Sequence, residues 1–252
     1  MRRAGDAAGE YLQVGRKIYI AEATFGFETD TLDGVGQVIG ESDASGVTLD
    51  KIRAALDDFR GEIEQIPPIY SAIKRDGKKL YDLARAGNLD ESELAPRRVT
   101  IYNLEATHFV AGVRPRAMIR IECSGGTYIR SLVRDLGRAL GCGATMTFLV
   151  RTQSGAFSSE SAQTLEEIAA NPASALLTME QILRFCDFPI VVSDEMTRDL
   201  AQGKRVFVNN NQAPRLVIVN EAGTIAAIAA PLPQDAGCYK PEKVLFLDDA
   251  GL

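Results

Sequence analysis

The stretch SGGTYIRSLVRDLG, residues 124–137, places an aromatic ring and a permanently charged guanidinium on the first turn of what reads as an amphipathic helix. Ile129, Leu132, Val133, Leu136 and Leu140 fall on one stripe that must face a core. Arg130, Arg134 and Arg138 follow a different row, four residues apart. The Gly125-Gly126 pair lets a partner come close to the backbone, and a helix N-terminus offers N–H groups to an anion. Two uses of Tyr128 and Arg130 are open on this pattern: a surface aromatic beside a solvated arginine, or a site at a strand-to-helix junction.

Other chemistries find little support. The single histidine, His108, sits within a probable strand, so no HExxH pair exists and a Ser-His-Asp triad would rest on it alone. Cys123, Cys142, Cys186 and Cys238 lie far apart without a CxxC pair, and read as buried free thiols rather than zinc or redox ligands.

The elements around the motif follow from periodicity. KIYIAEATFGF, residues 17–27, alternates and reads as a strand with Tyr19, Phe25 and Phe27 on one face. TDTLDGVGQVI then turns through Asp33-Gly34 into a second strand. Thr48 is a good N-cap for a helix carrying Leu49, Ile52, Leu56 and Phe59, which ends near Gly61 and cannot pass Pro67-Pro68. An Asp76-Gly77 turn among four basic residues and a helix stopped by Gly87 come next. RRVTIYNLEATHFV and RAMIRIECS read as two strands, GCGATMTFLVRTQSGAF as another, and TLEEIAA as the start of a helix. Composition shifts over residues 171–189, and the short apolar runs that follow suggest a small β-barrel-like domain of about sixty residues from residue 188.

At 252 residues the chain can bury a full core, and 46% apolar with 25% charged residues is ordinary for a soluble protein. No apolar run reaches the ~18 residues of a membrane helix, and MRRAGDAAGEYLQVG has no signal-like apolar core, so a cytoplasmic location is expected. Net charge is −6, yet residues 74–138 hold 13 Lys or Arg against 8 Asp or Glu, a balance of +5 that leaves −11 for the rest. This is either a solvated surface or a basic face suited to a phosphate backbone. Nothing calls for an obligate assembly, so a monomer is expected.

Taken in order, KIYIAEATFGFETDTLDGVGQVI, FRGEIEQIPPIYSAIKRDGKKLYDLARAG, RRVTIYNLE and CSGGTYIRSLVRDLGRALGCGATMTFLVRTQSGAF resemble the TruB family of tRNA pseudouridine synthases from about residue 11 to about 170. GKRV and YKPEKVL resemble the PUA-like RNA-binding domain that closes many members. The resemblance implies an α/β (α+β) fold: a mixed β-sheet pseudouridine synthase core flanked by helices over residues 1–175, plus a small β-barrel-like PUA domain over residues 188–252. It also implies a reaction, isomerisation of the T-loop uridine (position 55) of tRNA, with the tRNA T-arm as partner and no metal or organic cofactor. The base must leave its ribose, turn and rejoin through C5, so it is first unstacked at a cost of a few kcal/mol and held between flat or apolar groups.

Carried over by position, Tyr19 matches the tyrosine that stacks on the target base. Tyr128 matches a pocket tyrosine, Arg130 the arginine that pairs with the catalytic aspartate, and Leu149 the apolar wall. Tyr19 and Arg130 are thus the expected catalytic residues. Lys74 and the Arg75 to Lys79 turn are either a phosphate contact or a solvated turn. The family's nucleophilic aspartate lies in a GTLDPLAxGxLP-type segment upstream of the KIYI strand, and neither Asp6 nor TDTLDG fits that pattern. MRRAGDAAGE does not resemble the family's GxATK, so the expectation is a chain cut short at its N-terminus, inactive as written, with Arg130 facing no partner carboxylate. The alternative is a non-catalytic RNA-binding remnant.

Overall fold

The computed structural model describes residues 15–71, 74–75, 78–79, 94–177, 181, 188–209 and 213–245. The Asp76-Gly77 turn, the helix expected before Gly87, Asp6 and Cys186 lie outside them. The chain divides into two compact units, Gly15–Ser161 and a second from Ala162 on.

The first unit is built on a six-stranded antiparallel sheet in the order β10-β9-β1-β8-β7-β4. Its central strand, β1 (Lys17–Phe25), pairs with β8 (Arg116–Cys123) on one side and β9 (Ala144–Ser154) on the other. The alternating residues Ala21, Ala23 and Phe25 are wholly buried, as the period of two requires for one covered face. Over that face lie α1 (Leu49–Asp57), through Ile52 and Leu56, and α2 (Ile129–Ala139), through Ile129, Leu132, Val133 and Leu136. Each such side chain contributes about 1.5–3 kcal/mol by leaving water. Thr48 caps α1 as expected, its hydroxyl accepting from Lys51 N at 3.3 Å.

Two expectations change. The first strand stops at Phe25, because Gly26 takes φ +98° and its N–H turns to Gly143 O at 3.1 Å. Phe27 therefore belongs to β2 (Phe27–Thr29), which pairs with β3 (Val38–Glu41) in a separate two-stranded sheet. The second change is an unexpected strand, β4 (Gly61–Gln65), paired with β7 (Arg97–Val110). Its GEIEQ pattern has one apolar residue, as suits an edge strand, and Arg98 of β7 ion-pairs with Glu62 and Glu64. Beyond it, β5 (Lys74–Arg75) and β6 (Lys78–Lys79) form a two-stranded ribbon, and β10 (Phe157–Ser158) closes the other end of the sheet.

Gly137 shows how closely α2 meets the start of β9. A Cβ there would overlap the backbone of Gly143 and Ala144, which cannot give way as a flexible side chain could. Gly137→Ala is expected to destabilise this unit by about 2–3 kcal/mol, lowering its melting temperature by roughly 4–12 °C in a calorimetric scan.

In the second unit the helix α3 (Leu165–Ala170), with a Thr164–Glu167 capping box, precedes a five-stranded sheet in the order β11-β13-β14-β15-β12. These strands are Ile190–Val192, Val206–Phe207, Leu216–Val219, Ile225–Leu232 and Asp235–Val244, numbered β11 to β15 in chain order. The helix α4 (Asp194–Ala201) follows β11 and places Leu200 against Leu216, Ile218, Ala227, Ala229 and Tyr239. Val217, Val219 and Ile228 face the other side, with Leu245 and Phe188. Tyr239 buries its ring and satisfies its hydroxyl on Ala213 O at 3.0 Å. The α+β fold class matches the expectation.

Candidate functional site

Tyr19 shares the covered face of β1 with Ala21 but is only partly buried, because it lies near the limit of the helix layer. On β9, Arg151 stands opposite Tyr19 and Leu149 opposite Ala21. Opposed residues of an antiparallel pair share a face, so Tyr19, Leu149 and Arg151 emerge together. Met146, earlier on β9, is buried, whereas Leu149 is 41% exposed. The apolar floor of the sheet thus runs out from beneath α2 at this point. Lys17, two residues from Tyr19 on the same face, is largely buried. Burial holds its pKa below the usual lysine value and the Arg151 charge lowers it further, against a smaller opposing effect of Cys123. Two cations therefore flank Tyr19.

The loop between β2 and β3 closes over the other end of this patch. Gly34 N donates to Met146 O at 3.0 Å and Met146 N to Leu32 O at 3.3 Å, which seats residues 32–34 on β9. Leu32 adopts φ +63°, a left-handed conformation unusual for a branched residue and held by this seating. The Asp33 carboxylate accepts the Thr31 hydroxyl at 2.6 Å and Val35 N at 3.4 Å on one oxygen. Its other oxygen receives Arg130.

Arg130 binds three groups on two separate segments. Nη1 donates to Thr31 O at 2.9 Å and to Asp33 Oδ2 at 3.1 Å, while Nη2 donates to Tyr70 O at 2.9 Å. Both charged side chains are about three-quarters buried. The expectation that Arg130 faces no partner carboxylate is corrected: Asp33 is that partner. The TDTLDG turn carries it there because the loop is fastened to β9 rather than left in solvent.

Tyr128 is the N-cap residue of α2, and its side chain makes no capping bond. Its backbone is instead held by Gln65, as described below. Gly126 has φ +84°, and a Cβ at Gly125 or Gly126 would meet nothing within 4 Å, so the motif's glycines border open space. Of the residues read from the sequence, Tyr19 and Leu149 are thus joined through strand register. Arg130 is linked to β9 through the 31–34 loop and Met146, and Tyr128 stands two residues before Arg130 at the start of α2. Lys74 lies in the β5–β6 ribbon opposite Lys79, and its side chain is outside the described residues. Missed were Asp33, Arg151, Lys17, Gln65 and the buried Arg134, which reaches Asp135 at 2.8 Å and Ile66 O at 3.5 Å.

Among the described residues no group of three His, Cys, Asp or Glu side chains could hold a metal ion. No helix among them is long and apolar enough to cross a membrane.

The start of α2 is thus tied through an arginine–carboxylate pair to the sheet that carries Tyr19 and Leu149. Residues 7–129 match the TruB family pseudouridylate synthase N-terminal domain, and residues 130–186 match the tRNA pseudouridylate synthase B C-terminal domain. The chain belongs to the TruB family. It is 49% identical over 179 residues to tRNA pseudouridine synthase B of Symbiobacterium thermophilum, covering 69% of this chain and 59% of that protein. It is 39% identical over 242 residues to the protein of the same name from Dehalococcoides mccartyi strain 195, covering 94% and 78%. The alignments thus span from 59% to 78% of these relatives' own length. Among solved structures, a Cbf5-Nop10-Gar1 complex is similar with TM-score 0.65 at 22% identity, covering 96% of this chain and 70% of that one.

Proposed function

We propose that this protein acts in pseudouridine formation in tRNA, taking the T-loop uridine into the patch between Tyr19, Tyr128, Leu149 and Arg130. The observation that carries this reading is the Arg130–Asp33 pair, which fastens the start of α2 to the 31–34 loop beside the exposed floor of β9. A uridine lifted from its stack needs flat and apolar faces, and Tyr19, Tyr128 and Leu149 supply them. Tyr19 and Arg130 act on the bound base, and no metal or organic cofactor enters the scheme. The positive charge of the exposed Arg151 beside Tyr19 suits a flanking phosphate. Residues 1–175 form the catalytic domain on this reading, and residues 188–252 a PUA-like RNA-binding domain. The tRNA substrate implies a cytoplasmic location, and the protein works as a monomer.

A second reading keeps the pocket without the reaction. On that reading the chain binds T-arm RNA without isomerising it.

The test of the pocket compares two T-arm transcripts, one with uridine at the target position and one abasic there. The expected result is tighter binding of the uridine transcript by about tenfold, the worth of one good stacking contact. Equal affinity would defeat the pocket reading. Lys74→Ala is expected to weaken both transcripts equally and to reduce the slope of log affinity against log salt by about 1, as a phosphate contact does.

A further inference from the structure

The start of α2 is held from one side by the segment Gln65–Ser71, which runs from the end of β4 past Pro67-Pro68. Tyr70 O takes Arg130, and Ile66 O takes the Ser131 hydroxyl at 2.8 Å as well as Arg134. These anchors are backbone carbonyls. The remaining anchor is a side chain. Gln65 Oε1 accepts Tyr128 N at 3.0 Å, and Gln65 Nε2 donates to Tyr128 O at 3.3 Å.

Gln65 is 1% exposed, so this amide makes its bonds away from water. It pairs with both main-chain groups of one residue, as a neighbouring strand would, and that residue is the N-cap that no side chain of the helix itself caps. Tyr128 O also accepts the first helical bond, from Leu132 N at 3.1 Å. One primary amide therefore fixes the main chain of Tyr128, from which the Tyr128 ring and, two residues on, the Arg130 guanidinium project.

We propose that Gln65 is a positioning residue for the base pocket, setting the Tyr128 ring through its grip on the Tyr128 backbone. Only a group with an acceptor and a donor side by side can do this. The proposal rests on the pocket reading above for its consequence in RNA binding, but not for its consequence in the protein alone.

Glutamate at this position gives a reversible test. The carboxylate of Gln65→Glu keeps an acceptor for Tyr128 N but sets a second negative oxygen against Tyr128 O, where the donor was. Protonated, the acid regains a donor, and burial raises a carboxyl pKa toward the range where this occurs. With tyrosines carrying a 13C label in the ring, and the Tyr128 signal identified by its loss in Tyr128→Phe, that signal is expected to move in Gln65→Glu at pH 8. It should return toward the wild-type position at pH 5, while the signal of Tyr239 in the other unit stays fixed at both. Gln65→Asn, which keeps both polar groups but withdraws them by one methylene, should displace the Tyr128 signal at either pH, and it decides the matter if the glutamate variant does not fold at pH 8.

In RNA binding, the uridine-over-abasic preference should fall about tenfold in Gln65→Glu at pH 8, recover at pH 5, and change little with pH in the wild type, with abasic binding the same throughout. A merely structural residue would alter both transcripts alike. A Tyr128 signal that stays in place in both variants overturns the proposal, as does an equal loss for the two transcripts. A wild-type preference of one defeats the pocket reading instead, and the Tyr128 signal then still decides whether Gln65 sets the ring.

Discussion

Replacement of Arg130 by lysine should abolish most of the preference for uridine over an abasic site, taking a ratio of about ten down toward one in the two-transcript comparison. The guanidinium spans two segments at once, with Nη1 on the 31–33 turn and Nη2 on Tyr70 O. A lysine ammonium carries its donors on one atom and cannot reach both. It would satisfy one segment and release the other, leaving either Tyr70 O or the Asp33 carboxylate without its partner. An ion pair broken on one side in a partly buried site costs more than the pair contributes when intact, because the remaining charge stays desolvated. Asp33→Asn is expected to cost less than Arg130→Lys, since its amide oxygen still accepts from Arg130. A uridine-to-abasic ratio in Arg130→Lys unchanged from that of the wild type would remove Arg130 from the pocket.

The second large effect concerns turnover. A uridine-containing T-arm transcript should gain no pseudouridine from residues 1–252 alone, and should gain it from the same residues joined at the N-terminus to a family segment of GTLDPLAxGxLP type. The reaction breaks the C1′–N1 bond and forms C1′–C5, which calls for a carboxylate free to attack or to accept a proton. Asp33 stands beside Arg130, but its oxygen away from Arg130 already takes the Thr31 hydroxyl and Val35 N. Asp30 is similarly engaged by Gln37 N at 2.8 Å. Moving either into reach would break these bonds, and a misplacement of about 1 Å alone can cost ~10²-fold in rate. Turnover by the 252 residues would instead assign the chemistry to an acid already present.

What could be read from the residues alone differs in kind from what could not. The α2 stripe and the β7 and β8 strands carry clear periods, 3.6 and 2, and the helix N-cap at Thr48 is a local signal. The edge strand β4 has no such period, since GEIEQ draws its stability from pairing with β7 rather than from an apolar face. Phe27 was misplaced because a glycine's left-handed turn leaves no trace in hydrophobic alternation. Arg130 stands out in the sequence at the helix start, yet its partner Asp33 lies 97 positions away, and only the seating of the 31–34 loop on Met146 brings it there. Arg134 shows the same limit. On the helical pattern it belongs to a row with Arg130 and Arg138, but it is buried at 2% exposure because Ile66 O and Asp135 receive it.

The position of β1 at the centre of the sheet has a consequence for the order in which the molecule is assembled. It emerges first of the six strands, while its partners β8 and β9 end at residues 123 and 154. At ~5–20 residues per second of synthesis, roughly 7–27 s separate the start of β1 from the end of β9. The β8 side of β1 can be paired once residue 123 is made, and only its other edge waits for residues 144–154 of β9. The local β7–β8 hairpin has a short closing loop and can form well before them. The proposed base pocket takes Tyr19 from β1 and Leu149 from β9, so nascent chains halted before residue 149 would carry its Tyr19 half beside the unfilled edge of β1.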